Sequence, residues 1–234
     1  MGSRSLYGFV VTAEHASDAI PSSCSDILQR EFDASDVHQR FDPGTKSIAE
    51  SLAVKLEATL CLGKFTRLAI DLNRSIGGPD LFSKSLFRAD EELKASLIQN
   101  HFLPFRKEAK EAVEALIQNK KIATHLSIHS FTPVLNGVVR NLDIGVLYDD
   151  ESSGETKLAN HLIQCLSADF PKLKVAANKP YLGKSDGHTT ALRRIFPDTN
   201  YLGIEFEFNQ ALDFQRDSEA LVDSILTSLR FYTA

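Results

Sequence analysis

Residues 6–12 (LYGFVVT) form a short apolar run dense in β-formers between polar flanks, and residues 47–62 then place Ile48, Leu52, Val54, Leu56 and Leu60 at helical spacing. The same alternation continues along the chain. It predicts strands over 65–72, 122–128, 143–148, 172–177 and 201–208, and helices over 89–118 (one or two), 158–166, 189–195 and 218–231. Several of these strands read as apolar on both faces, which implies a mostly parallel sheet between two helix layers, a three-layer α/β/α sandwich. The length of 234 residues fits one domain, and no repeat or low-complexity tract interrupts it.

Composition narrows the function classes. A net charge of −5, from 26 basic and 31 acidic side chains with no basic block, gives no electrostatic footprint for nucleic acid or an anionic membrane. A small-molecule partner is expected. The three cysteines, Cys24, Cys61 and Cys165, lie far apart and outside any C-x-x-C spacing, which points to neither a disulfide framework nor a thiolate metal site. The first apolar run is too brief for a signal-peptide core, and no 18-residue apolar segment occurs, so a soluble cytoplasmic protein is expected.

The segments between the elements gather histidines, acids and Gly-Pro punctuation: EHASDAIP, HQRFDPGT, DLNRSIGGPD, IHSFTP and NKPYLGKSDGHTT. Most of these follow expected strands, where the ligand crevice of an open α/β sheet lies. Glu14, His15 and Asp18 leave the first strand end as possible metal ligands, or as a capping cluster. His129 leaves another strand end, where it serves either as a second ligand or as a hydrogen-bonded structural histidine. Arg74, beside Asp71 and Asn73, offers a planar fork suited to a carboxylate, the alternative being an Asp71–Arg74 ion pair; Arg140 is a second such cation. Glu205 and Glu207 share one face of a strand, one a candidate general base and one expected to pair with Arg193 or Arg194. A G-x-S-x-G elbow, a phosphate loop and a G-x-G-x-x-G turn are all missing, so Ser127, Ser130 or Cys24 would have to act without their usual setting.

Taken together, residues 10–212 resemble the N-formylglutamate amidohydrolase family, whose fold is related to the zinc metallocarboxypeptidases, a phosphorylase/hydrolase-like arrangement with a mostly parallel mixed sheet. The segment at 14–21 is similar to the family's first His motif, and 38–45 to H-x-x-W-D-I-G-A with Phe41 for Trp. RLAIDLNRS is similar to R-L-x-I-D-x-N-R, residues 128–150 to I-H-S-F-T-P, G-x-x-R-P and G-x-L-Y-D with Asn141 for Pro, and 177–190 to D-N-x-P-Y and Y-T. The resemblance implies one zinc ion on His15, Asp42 and His129, with Asp18 or Glu14 as alternatives to Asp42. It implies Glu207, or else Glu205, as the base, and Asn73, Arg74, Arg140 and Tyr181 around a carboxylated amide substrate such as an N-formyl or N-acyl amino acid. The family's I-E-I-R-N-D-L motif departs here, since Asn209 or Glu207 stands where Arg is usual. A non-catalytic relative that binds a carboxylated ligand or a partner is the alternative.

Overall fold

The computed structural model describes residues 6–232. Strand β1 (Tyr7–Ala13) leads through a 3-10 turn to α1 (Ser25–Ala34), α2 (Val37–Arg40) and α3 (Thr45–Leu56), and β2 (Thr59–Leu62) follows. Next come α4 (Lys84–Phe87), α5 (Glu91–Leu97) and α6 (Leu103–Gln118), the last two joined by a π-helical turn. β3 (Ile122–Phe131), a small hairpin of β4 (Val134–Leu135) and β5 (Val138–Val139), and β6 (Ile144–Leu147) precede α7 (Ser153–Asp169). The chain closes with β7 (Val175–Ala177), α8 (His188–Arg193), β8 (Tyr201–Asn209) and α9 (Phe214–Tyr232).

Six strands form one sheet in the order β2-β1-β3-β8-β6-β7. β2, β1, β3 and β8 run parallel; β6 lies antiparallel to β8 and carries β7 parallel to itself. Helices α3, α7 and α9 cover one face, α6 and α8 the other, giving the three layers that the alternation of elements implies. Capping fixes several helix starts: Asp90 accepts the Leu93 N–H ahead of α5, and Ser152 accepts the Glu155 N–H ahead of α7. Among the described residues no helix is long and apolar enough to cross a membrane.

The two central strands are not among those apolar on both faces. In β8, Leu202, Ile204, Phe206 and Phe208 point to the main core with Leu126 and Ile128 of β3, whereas Tyr201, Glu205 and Glu207 point the other way. The register sets Ser127 beside Glu205 and His129 beside Glu207, so both strands are buried on two faces but polar on one. A buried polar face needs internal hydrogen bonds; His125, Ser127, His129 and Glu205 have them, while Glu207 Oε2 has none among the described residues.

Residues 65–72 are not a strand. The strand is Thr59–Leu62, within the stretch expected to continue the helix over 47–62, which ends at Leu56 with Glu57 in the left-handed region (φ 52°). Loops satisfy the backbone of 65–72 instead: Thr66 N–H donates to Ala19 O, Arg67 N–H to Arg40 O and Asp71 N–H to Leu81 O. Its apolar side chains Leu68, Ala69, Ile70 and Leu72 fill a second core with Leu28, Leu86 and Phe105, which is why the run reads as a buried strand.

Where β2 leaves the sheet, Gly63 N–H donates to Ala13 O, and a Cβ at Gly63 would lie 1.9 Å from the Glu14 carbonyl oxygen. Gly63→Ala therefore drives backbone apart beside His15. The expected cost is about 1–3 kcal/mol of overpacking, read as a lowered denaturant midpoint; an unchanged midpoint would show that the close approach is unimportant.

Candidate active site

The parallel strands β1 and β3 end side by side and deliver His15 and His129 to one spot. The Phe41–Gly44 turn between α2 and α3 is tied to β1 by the Asp42 N–H donating to His15 O (2.9 Å), and this brings Asp42 between the two imidazoles. His15 Nδ1 and His129 Nδ1 lie 3.3 Å and 3.0 Å from Asp42 Oδ2. All three residues are buried, and one potential ligand atom from each falls within 4.8 Å of the others. The opposite ring nitrogens meet carboxylates: His15 Nε2 lies 2.7 Å from Asp71 Oδ1, and His129 Nε2 3.2 Å from Glu14 Oε2. Such outer carboxylates fix ring orientation in metal-binding histidines.

Charge in the cluster is balanced internally. Arg67 donates from Nε and Nη2 to Asp71 Oδ2 (3.1 and 2.8 Å) and reaches Asp42 Oδ1 at 3.5 Å. Burial opposes ionisation of Asp42, but His15, His129 and Arg67 outweigh it and hold the carboxyl well below its ordinary range; Asp71 is held down likewise by Arg67 and His15. Burial also opposes an imidazolium at His129, yet its hydrogen bonds to Asp42 and Glu14 raise its pKa well above the usual value.

Glu14, one alternative to Asp42, sits behind His129 rather than between the rings. Its carboxylate accepts from Thr12 Oγ1 (2.7 Å), Ser127 Oγ (2.8 Å) and His188 Nδ1 (2.7 Å), and it groups with His125 and His188 in a second buried cluster. His125 in turn lies 2.8 Å from Thr12 Oγ1 through Nε2 and 2.7 Å from the Tyr201 hydroxyl through Nδ1. Asp18, the other alternative, is exposed and outside both clusters.

A cleft of about 470 Å³ opens over His15, Asp42 and His129, with Glu205, Glu207 and Arg74 among its walls. The two glutamates differ. Glu205 accepts a hydrogen bond from Thr189 Oγ1, whereas Glu207 Oε2 is buried with no hydrogen-bond partner among the described residues. Burial pushes the Glu207 carboxyl up to about 8, with Asp42 and Glu205 adding to the rise and His129 and Arg67 opposing it. The arginine expected to hold one of them is engaged elsewhere: Arg193 pairs with Glu155 at 2.9 Å, and that carboxylate also accepts the Gly203 N–H.

The alternative reading, an Asp71–Arg74 ion pair, does not form; Asp71 is taken by Arg67 and His15. Arg74 lines the cleft, its Nη1 donating to the Asn73 and Asp186 carbonyls (2.9 and 3.2 Å). Asn73 borders the cleft, but its Oδ1 accepts the His188 N–H (2.6 Å) and its Nδ2 lies 3.3 Å from His129 Nε2, so it fastens α8 to the cluster. Tyr181 lines the cleft and is 46% exposed, while Arg140 stands behind it, donating to its hydroxyl (3.1 Å) and packing against Phe131. Sequence reasoning assigned no task to Arg67, named Asp71 only as an alternative partner of Arg74, and assigned none to His188 or Asp186. The signal available for the first two was their four-residue spacing within RLAIDLNRS.

Two buried histidines at the carboxyl ends of adjacent parallel strands, an aspartate held between them and a carboxylate on the next strand define the class: an α/β protein with a polar crevice at its strand ends. The model of the N-formylglutamate amidohydrolase family matches residues 7–212, and the chain belongs to that family. Comparison with curated proteins finds no match. Among solved structures, the gene product Atu2144 of Agrobacterium tumefaciens is similar at 25% identity, TM-score 0.81, covering 98% of this chain and 93% of its own. An N-formylglutamate amidohydrolase from Ralstonia eutropha JMP134 shares the fold at 16% identity and TM-score 0.71, covering 100% and 96%.

Proposed function

We propose that the chain is a metal-dependent amidohydrolase acting on an N-formyl or N-acyl amino acid. The observation that carries this reading is an unpaired, buried Glu207 in the same cleft as three convergent ligand atoms from His15, Asp42 and His129. Two imidazoles and one carboxylate suit zinc, and the carboxylates behind both rings fit that role. A zinc ion held there supplies a Lewis acid that polarises the amide carbonyl and lowers the pKa of water to about 7.

The residues around it divide the remaining work. Glu207 accepts the proton of the attacking water and returns it to the leaving amine. Arg74, among the described residues without a carboxylate within salt-bridge distance, binds the substrate carboxylate with its planar fork and so fixes the scissile bond over the cluster. Tyr181, steadied by Arg140, closes the outer side. Asn209 does not replace the family's arginine: its Nδ2 donates to Leu142 O and its Oδ1 accepts the Ala211 N–H, so a second substrate carboxylate finds no cation there. That departure favours N-acyl amino acids with one carboxylate, and it is also what supports the alternative of a non-catalytic carboxylate binder.

Elemental analysis joined to a hydrolysis assay separates the two. The purified chain is expected to carry about one equivalent of divalent metal and to release amino acid from an N-formyl or N-acyl substrate. No metal, no thermal stabilisation on adding zinc and no turnover would overturn the enzyme reading. Arg74→Lys is expected to lose activity on an N-acyl amino acid and very little on its carboxamide, with metal content unchanged. Equal proportional loss on both substrates would remove Arg74 as the carboxylate anchor.

A further inference from the structure

On the far side of α8 from the catalytic cleft lies a larger cavity of about 800 Å³ that shares no lining residue with it. The wall between them is built from the Ser75–Asp186 hydrogen bonds and the Asn73–His188 bond. The lining is apolar over most of its extent, from Ile76, Phe102, Leu103, Ala191, Leu192 and Ile195. Arg106 and His188 break it; their Nε and Nε2 atoms lie beneath the cavity surface and, among the described residues, lack a hydrogen-bond partner.

Arg106 is the more telling of the two. Its guanidinium packs over the Phe102 ring at 4.9 Å and donates from Nη2 to Arg74 O (2.9 Å), but among the described residues no carboxylate lies within salt-bridge distance of it. The neighbouring cations at the rim are already matched, Lys107 with Glu111 and Lys110 with Glu114. A part-buried guanidinium with no carboxylate within salt-bridge distance, beside an apolar cavity, is complementary to an anion with an apolar tail.

We infer that this cavity is a second binding site, distinct from the catalytic cleft, for an amphiphilic carboxylate whose acid meets Arg106 and whose alkyl chain lies along α6 and α8. The inference does not depend on the hydrolase reading. The test titrates the full chain with octanoate and, separately, with its methyl ester by isothermal calorimetry. One saturable equivalent of the acid is expected, with the ester at least about tenfold weaker. Arg106→Gln should weaken the acid toward the ester, and Ala191→Phe, which fills the cavity, should abolish binding while the thermal midpoint shows the variant folded. No saturable binding by the wild type would overturn the site. Equal affinity for acid and ester would reduce it to an unselective apolar groove and overturn the carboxylate assignment. Binding unchanged in both variants would place the ligand elsewhere, the catalytic cleft included, and overturn it as well.

Discussion

His129→Ala is expected to lose metal binding and hydrolytic activity together if the proposed site is right. The imidazole is one of three converging donors, and its removal leaves the buried Asp42 and Glu14 carboxylates without a shared partner. Stripping one member from a buried charged pair costs on the order of 3–5 kcal/mol, so a stability loss accompanies the loss of metal. Asp42→Asn keeps the side-chain shape and removes the anion, and it separates ligation from folding. Metal content by elemental analysis is expected to fall to background in His129→Ala, His15→Ala and Asp42→Asn. Any variant that keeps a full equivalent would take its residue out of the ligand set.

Glu207→Gln behaves in the opposite way: it keeps the metal and loses on the order of 10²-fold or more in kcat, because the proton acceptor is gone while the shape stays. A general base acts deprotonated, so wild-type kcat falls as the pH drops through the Glu207 pKa. Burial sets that pKa at about 8 in the metal-free chain, and a cation at the neighbouring cluster favours the carboxylate and moves the limb to lower pH. The acidic limb should vanish in Glu207→Gln. Glu205→Gln, whose carboxylate is held by Thr189, should be milder and keep the limb. Reversed effects would exchange the two glutamates' roles.

The layers and most elements were legible in the chain because they follow from local periodicity. The helix over 218–231 and the strand over 201–208 agree with α9 and β8 to within a few residues. Local pattern failed at 65–72, where burial against α1 and α6 imitates a strand while loops satisfy the backbone. It did place Glu205 and Glu207 on one face of β8, opposite Leu202, Ile204, Phe206 and Phe208, but gave no partners for that polar face. The positions of His15, Asp42 and His129 were readable as strand-end or loop residues. Their mutual distances, the bridging of Asp42 and Asp71 by Arg67, and the place of Glu14 behind His129 depend on contacts between residues up to 174 apart in the chain, which periodicity does not encode.

The hydrogen-bonded series behind His129 also settles where its protons sit. Glu14 is an ionised carboxylate and accepts only, so Thr12 Oγ1 and His188 Nδ1 must both donate to it. With its proton committed, Thr12 can only accept from His125, which is therefore the Nε2–H tautomer; burial pulls its pKa down to about 3 and keeps it neutral. His125 Nδ1 is then a lone pair, filled by the Tyr201 O–H. One carboxylate at the end of β1 thus dictates the tautomers of two histidines and the rotor of a tyrosine on β8, and gives the whole series a single direction running toward the catalytic cluster.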